Sequence, residues 1–213
     1  MSRFKVLPIL FNTEMVRANL DGRKSCTRRL VKDFVPDNAI WGYTAFTPKG
    51  CISCRGTFAD GYGEKFFKLP CEPGDILYVR ETWSKGLERY IYRADYSDTE
   101  KFYRNGKEIE MKWKPSIRMP KEAARIWLKV TDVRVERLQE ITEAGAEAEG
   151  AVNNIGMIHA PDNEYDHIHT AKEHFIEIWN STIKKSDIDR YGWDANPYVW
   201  VIEFERCEKP EEN

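Results

Sequence analysis

Residues 124–138, ARIWLKVTDVRVERL, alternate apolar and polar side chains almost throughout. A period of two belongs to an extended strand buried on one face. Ile126, Leu128 and Val130 share one face, and Val133 and Val135 share a face further along. The parity shift at Thr131–Asp132 predicts a β-bulge. The closing stretch NPYVWVIEFERC, residues 196–207, reads as a second strand of aromatic and β-branched residues. Long strands leave exposed edges unless a sheet closes on itself or is covered. That requirement limits the chain to a few β-rich architectures.

The remaining elements are shorter. FKVLPILF (4–11) reads as a first strand that Pro8 breaks or places at an edge. In EPGDILYVRETW (72–83), Pro73-Gly74-Asp75 marks a turn before a strand from Ile76 to about Thr82, and RYIYRAD (89–95) reads as another strand. NTEMVRANLDG (12–22) reads as a helix capped by Asn12 or Thr13 and ended by Gly22. ITEAGAEAEG (141–150) reads as a helix capped by Thr142, with Gly150 at its end. Residues 151–168 read as a polar loop, and TAKEHFIEIWNSTI (170–183) as an amphipathic helix with Phe175, Ile178, Trp179 and Ile183 on one side. Five or six mostly antiparallel strands and three short helices predict an α+β protein built on a small closed or nearly closed barrel.

The expected domain spans 1–213 as one unit, with insertions at 32–69 and 97–120, where no period is clear. The net charge of −2 gives no global attraction to nucleic acid, so any polyanion site must be a local patch. No apolar run approaches the ~20 residues of a membrane span, and the apolar N-terminal stretch is too short for a signal peptide. Five irregularly spaced cysteines argue against a disulfide framework and point to a reducing cytoplasm.

The chemistry concentrates in LDGRKSCTRRL, residues 20–30. Arg23, Lys24, Arg28 and Arg29 surround Ser25, Cys26 and Thr27. Alone, the stretch fits a basic turn solvated by water. Neighbouring cations also push a lysine toward the neutral amine, which can take a proton from a nearby hydroxyl. In an extended strand residues three apart face opposite ways, so Lys24 and Thr27 meet only if the chain bends between them. His167, His169 and His174 lack the spacing of helical metal ligands, and Cys51, Cys54 and Cys71 supply at most part of a zinc site. The chain is therefore expected to use neither metal nor cofactor. Among the acidic residues of 143–149, Glu143 and Glu147 share a face, and Glu149 points elsewhere. Trp83, at the end of a strand, fits either a core or a base-stacking pocket.

Taken together, LDGRKSCTRR, PGDILYV, LQEITEAGAEAEG and YVWVIEFERC, in that order, resemble the ASCH-domain proteins, a branch of the PUA-like β-barrel superfamily. The full length is most similar to the larger ASCH-like proteins of phages and prophages. The resemblance implies a PUA-like, mostly antiparallel barrel with flanking short helices and loop insertions. Gly22-Arg23-Lys24-Ser25-Cys26-Thr27 matches the Gly-Arg-Lys-x-x-Thr of small ASCH enzymes that hydrolyse N(4)-acetylcytidine, and the offset from Thr142 lands on their glutamate at Glu149. The resemblance thus implies a metal-independent amidohydrolase. Thr27 would be the nucleophile or water-orienting hydroxyl, Lys24 its base, and Glu149 the acid partner. Arg23, Arg28, Arg29, Glu81, Trp83 and Tyr92 complete the expected contacts to substrate or nucleic acid. The alternatives are a non-catalytic module, in which Lys24, Arg28 and Arg29 hold phosphate while Trp83 or Tyr92 stacks on a base, and an inert adaptor within an assembly. The expected partner is a nucleoside or RNA, with no membrane and no obligate protein partner.

Overall fold

The computed structural model describes residues 4–86, 89–104, 106–153 and 170–211. In chain order the elements are β1 (Val6–Leu10), α1 (Thr13–Leu20), β2 (Cys26–Leu30), β3 (Ile40–Gly42), β4 (Cys51–Phe58), β5 (Gly61–Lys68), β6 (Ile76–Arg80), β7 (Trp83–Lys85) and β8 (Tyr90–Tyr92). There follow β9 (Phe102–Arg104), β10 (Lys107–Ile109), β11 (Trp127–Arg137), α2 (Glu143–Ala148), α3 (Ala171–Thr182), α4 (Ile188–Tyr191) and β12 (Tyr198–Cys207). The protein is α+β, mostly sheet with a few short helices.

The main sheet has the order β1-β6-β11-β12-β2. All its pairings are antiparallel except β1 with β6. Pro8 sits in β1 at the sheet edge, where its missing N–H costs no internal ladder bond. The β11–β12 register shifts between Val130 and Asp132, where the sequence parity changes. That bulge keeps Val133 on the core side with Leu128 and Val130, and Val135 packs beside them. Hydrogen bonding leaves β1 and β2 as the two edges, so the ladder itself does not close.

One face of this sheet buries Phe11, Val79, Leu128, Ile202 and Phe204. Residues 32–69 form the antiparallel sheet β3-β4-β5, and its Ile52, Cys54, Phe58 and Phe67 belong to that same core. The opposite face, through Val199, Val201 and Cys26, packs against Ala146 of α2 and Phe175 and Trp179 of α3. Each helix begins as its sequence directs. Asn12 Oδ1 accepts the Met15 N–H at 2.8 Å, Thr142 Oγ1 accepts the Gly145 N–H at 3.1 Å, and Thr170 with Glu173 forms a capping box. Among the described residues no helix is long and apolar enough to cross a membrane.

Candidate functional site

The turn after α1 and the end of α2 are stitched together before β2 begins. The Ser25 N–H donates to the Ala148 carbonyl at 2.9 Å, and the Lys24 N–H donates to the Ala18 carbonyl at 3.1 Å. This brings Lys24 against the C-terminal end of α2, where unpaired carbonyls favour a cation. Its Nζ donates to Glu149 Oε2 at 2.7 Å, to the Glu149 carbonyl at 2.7 Å and to the Cys26 carbonyl at 2.8 Å. Three acceptors use the three protons of an ammonium. The pair is sealed, with side-chain exposures of 0% for Lys24 and 5% for Glu149. Nζ also lies 5.3 Å from the centre of the Phe11 ring.

Glu149 is shared. Its Oε1 lies 3.5 Å from Arg28 Nη1, and Arg28 Nη2 reaches Glu136 at 3.2 Å. Glu136 in turn meets Arg134, which also pairs with Asp132 and Glu203. A chain of alternating charge therefore runs from Lys24 across β2, β11 and β12. Arg28 and Cys26 face the helices, whereas Thr27, opposite Ile202, faces the core.

Glu149, Arg23, Arg28 and Arg29 line a pocket of about 290 Å³, with Asn12, Glu14 and Met15 of α1 and Phe175, Ile178 and Trp179 of α3. Polar groups converging on an apolar wall are what a small-molecule site requires.

The expected site thus assembles in part. Lys24 and Glu149 meet, and Arg23, Arg28 and Arg29 join Glu149 at the pocket. The expected Lys24–Thr27 hydrogen bond does not form. Thr27 Oγ1 is buried with no partner among the described residues, and the contacts of Lys24 Nζ go to the Glu149 carboxylate and to the carbonyls of Cys26 and Glu149 rather than to Thr27.

Glu81, Trp83 and Tyr92 lie elsewhere. Glu81 is buried in a two-pronged pair with Arg125, 2.9 Å at each oxygen. Burial raises its pKa and Arg125 opposes the rise. The Arg125 guanidinium covers the Tyr92 ring at 4.0 Å, and Lys114 stands 4.7 Å over Trp83. Neither ring lines the pocket that holds Glu149 and the arginines.

The sequence reading missed the part played by α3. Phe175, Ile178 and Trp179 carry a helical stripe that reads as core, yet they also wall the pocket. Nothing in the sequence singled out Glu136 as the partner of Arg28. Cys51 and Cys54 are three apart in β4 and so point to opposite sides, and among the described residues no three His, Cys, Asp or Glu side chains gather as a metal site. His167 and His169 lie outside the described residues.

The surroundings of Cys26 disfavour its thiolate. Burial first, and the Glu149 charge second, push its thiol up to about 12. Cys71 is likewise pushed up to about 12 by burial, with Asp75 and Glu72 adding to the effect. From about pH 9, where thiols of the unfolded chain ionise, to about pH 12, the native state holds more protons. Stability is therefore expected to fall as pH rises through that window, by up to about 1.4 kcal/mol per pH unit for each thiol. Urea midpoints at successive pH values check this. Cys26→Ala should flatten the slope, and an unchanged slope would refute its share.

Comparison with protein-family models, with curated proteins and with solved structures finds no match to this chain.

Proposed function

We propose that the chain is an ASCH-like protein with a nearly closed PUA-like barrel, which hydrolyses the amide of an N-acylated nucleobase or nucleoside, most concretely an N(4)-acylated cytidine. The barrel reading is supported by Arg29, whose Nη2 reaches across from the β2 edge to the Leu10 carbonyl of the β1 edge at 2.8 Å. One observation carries the activity: a buried carboxylate, Glu149, fixed at 2.7 Å by Lys24, forms part of the wall of a pocket whose other charged groups are mainly guanidinium. A buried carboxylate held in one position at the edge of a pocket, with guanidinium donors facing the same space, is the kind of arrangement that acid–base chemistry on a small ligand uses.

In this mechanism Glu149 takes a proton from water as the water oxygen bonds to the acyl carbon. The carbonyl oxygen gains the negative charge, which an arginine of the pocket stabilises. Glu149 then returns the proton to the amide nitrogen as the carbon–nitrogen bond breaks, giving an amine and a carboxylic acid. Lys24 acts through Glu149 by orienting it. Thr27, whose side chain faces the core and does not line the pocket, takes no step in this mechanism.

Incubation with N(4)-acetylcytidine, followed by release of cytidine and acetate, tests this. Glu149→Asp keeps the charge but withdraws it by one methylene, and is expected to lower kcat about 10²-fold. Absence of turnover by the wild-type protein would leave the pocket as a binder of RNA or modified bases. Equal turnover by both proteins would remove Glu149 from the chemistry.

A further inference from the structure

The pocket has more positive donor capacity than the hydrolysis of a neutral nucleoside needs. Arg29 lines it, yet among the described residues the only hydrogen bond of its side chain is to the Leu10 carbonyl, and no carboxylate pairs with it. Arg28 is almost wholly enclosed, with a side-chain exposure of 3%. Among the described residues its Nε is buried without a partner, and its Nη1 contact to Glu149 is long, at 3.5 Å. The acidic residues of the lining are already engaged: Glu14 by Arg17 at 2.8 Å, and Glu149 by Lys24 at 2.7 Å.

The N-terminus of α1 adds to this. Asn12 takes the N–H groups of Met15 and Val16 with its side chain and carbonyl. The N–H groups of Thr13 and Glu14 have no partner among the described residues. Asn12, Glu14 and Met15 line the same pocket as the arginines. The Arg29–Leu10 bond anchors the guanidinium two residues before the cap. Free N–H groups at the positive end of a helix, beside a guanidinium with spare donors, form an anion site.

We propose that Arg29, Arg28 and the start of α1 form a phosphate subsite, so that the substrate is a nucleotide carrying a terminal phosphate rather than a neutral nucleoside. This rests on the hydrolytic reading for its second half only. Desolvation lowers the pKa of Arg29, with Glu149 partly offsetting it, so an incoming anion would relieve an existing cost. An arginine fork grips two oxygens of a phosphate at once. A pocket of about 290 Å³ fits one compact ligand better than a polymer threaded through it.

Two measurements decide the matter. The first needs no turnover: thermal unfolding in inorganic phosphate against chloride at matched ionic strength. Phosphate should raise Tm in the wild type, and Arg29→Gln should abolish the rise. No phosphate-specific rise in the wild type overturns the subsite, whether or not the variant folds. The second compares kcat/KM for N(4)-acetylcytidine, its 5′-monophosphate and an RNA oligonucleotide with an internal acetylcytidine. The monophosphate should be preferred at least about tenfold, the range one charge-assisted contact supplies, and Arg29→Gln should shrink that preference. Equal rates for nucleoside and monophosphate, or a preference for the oligonucleotide, overturn the nucleotide assignment. Phosphate stabilisation with no hydrolysis of any substrate would sink the hydrolytic reading while supporting the subsite.

Discussion

Glu149→Gln is expected to cost about 3–5 kcal/mol of folding stability, because it leaves the Lys24 ammonium buried without a counter-charge. The two long side chains meet at 2.7 Å with almost no exposure, so water cannot take the carboxylate's place. Arg28, 3.5 Å from the other carboxylate oxygen, loses a partner as well, though it keeps Glu136 at 3.2 Å. In a domain of this size the loss corresponds to a Tm lower by roughly 6–20 °C. The double variant Lys24→Met with Glu149→Leu separates stability from function. Apolar replacement of a buried pair is often neutral or stabilising, so this protein should recover most of the loss. It should nevertheless remain inactive, since the pocket has lost its carboxylate. Urea unfolding of both variants beside the wild type measures the contrast. A single-variant loss below about 1 kcal/mol would show that the pair behaves like a solvated surface bridge.

The same pair shows what the sequence carries and what it leaves out. The cap at Thr142, the alanines of α2 and the glycine at 150 placed Glu149 at a helix end facing away from Glu143 and Glu147. Local signals sufficed because a helix terminus fixes direction within one turn. Thr27 was a different problem. Lys24 precedes β2 and Thr27 lies inside it, so their separation depends on which face of an edge strand meets the core. Register against β12 decides that, and register is a long-range property.

Long-range placement also explains the other misses. The bulge in β11 was legible from parity alone. The parallel pairing of β1 with β6, by contrast, joins segments whose own patterns say nothing about direction. Trp83 and Tyr92 carry the aromatic character of a stacking platform, but Lys114 and Arg125, about thirty residues further along the chain, place a cation over each ring. Residues 32–69 looked aperiodic because β5 is largely exposed, with Phe67 its one fully buried side chain.

Gly150→Ala is expected to destabilise the protein by about 2–5 kcal/mol, from two separable sources. The backbone at Gly150 has φ +94°, a conformation that costs an L-residue roughly 1–2 kcal/mol. An added methyl would also lie 2.7 Å from Ala18 Cβ and 3.4 Å from Lys24 Cβ. Ala18 Cβ has no rotamer by which to yield, so α1 and the end of α2 must move apart. Overpacking of this kind costs about 1–3 kcal/mol. The displacement acts where the Lys24 and Arg23 N–H groups bond the Ala18 carbonyl, so it should also misplace Lys24 against Glu149 and lower activity. Ala18→Gly removes the clash but leaves the backbone strain, and by itself costs about 1 kcal/mol of helix propensity. A double-mutant cycle over positions 18 and 150 should therefore give a favourable coupling of about 1–3 kcal/mol, matching the steric share. Strictly additive losses would mean that the two helices do not touch at this point, and would undo the arrangement that brings Lys24 to Glu149.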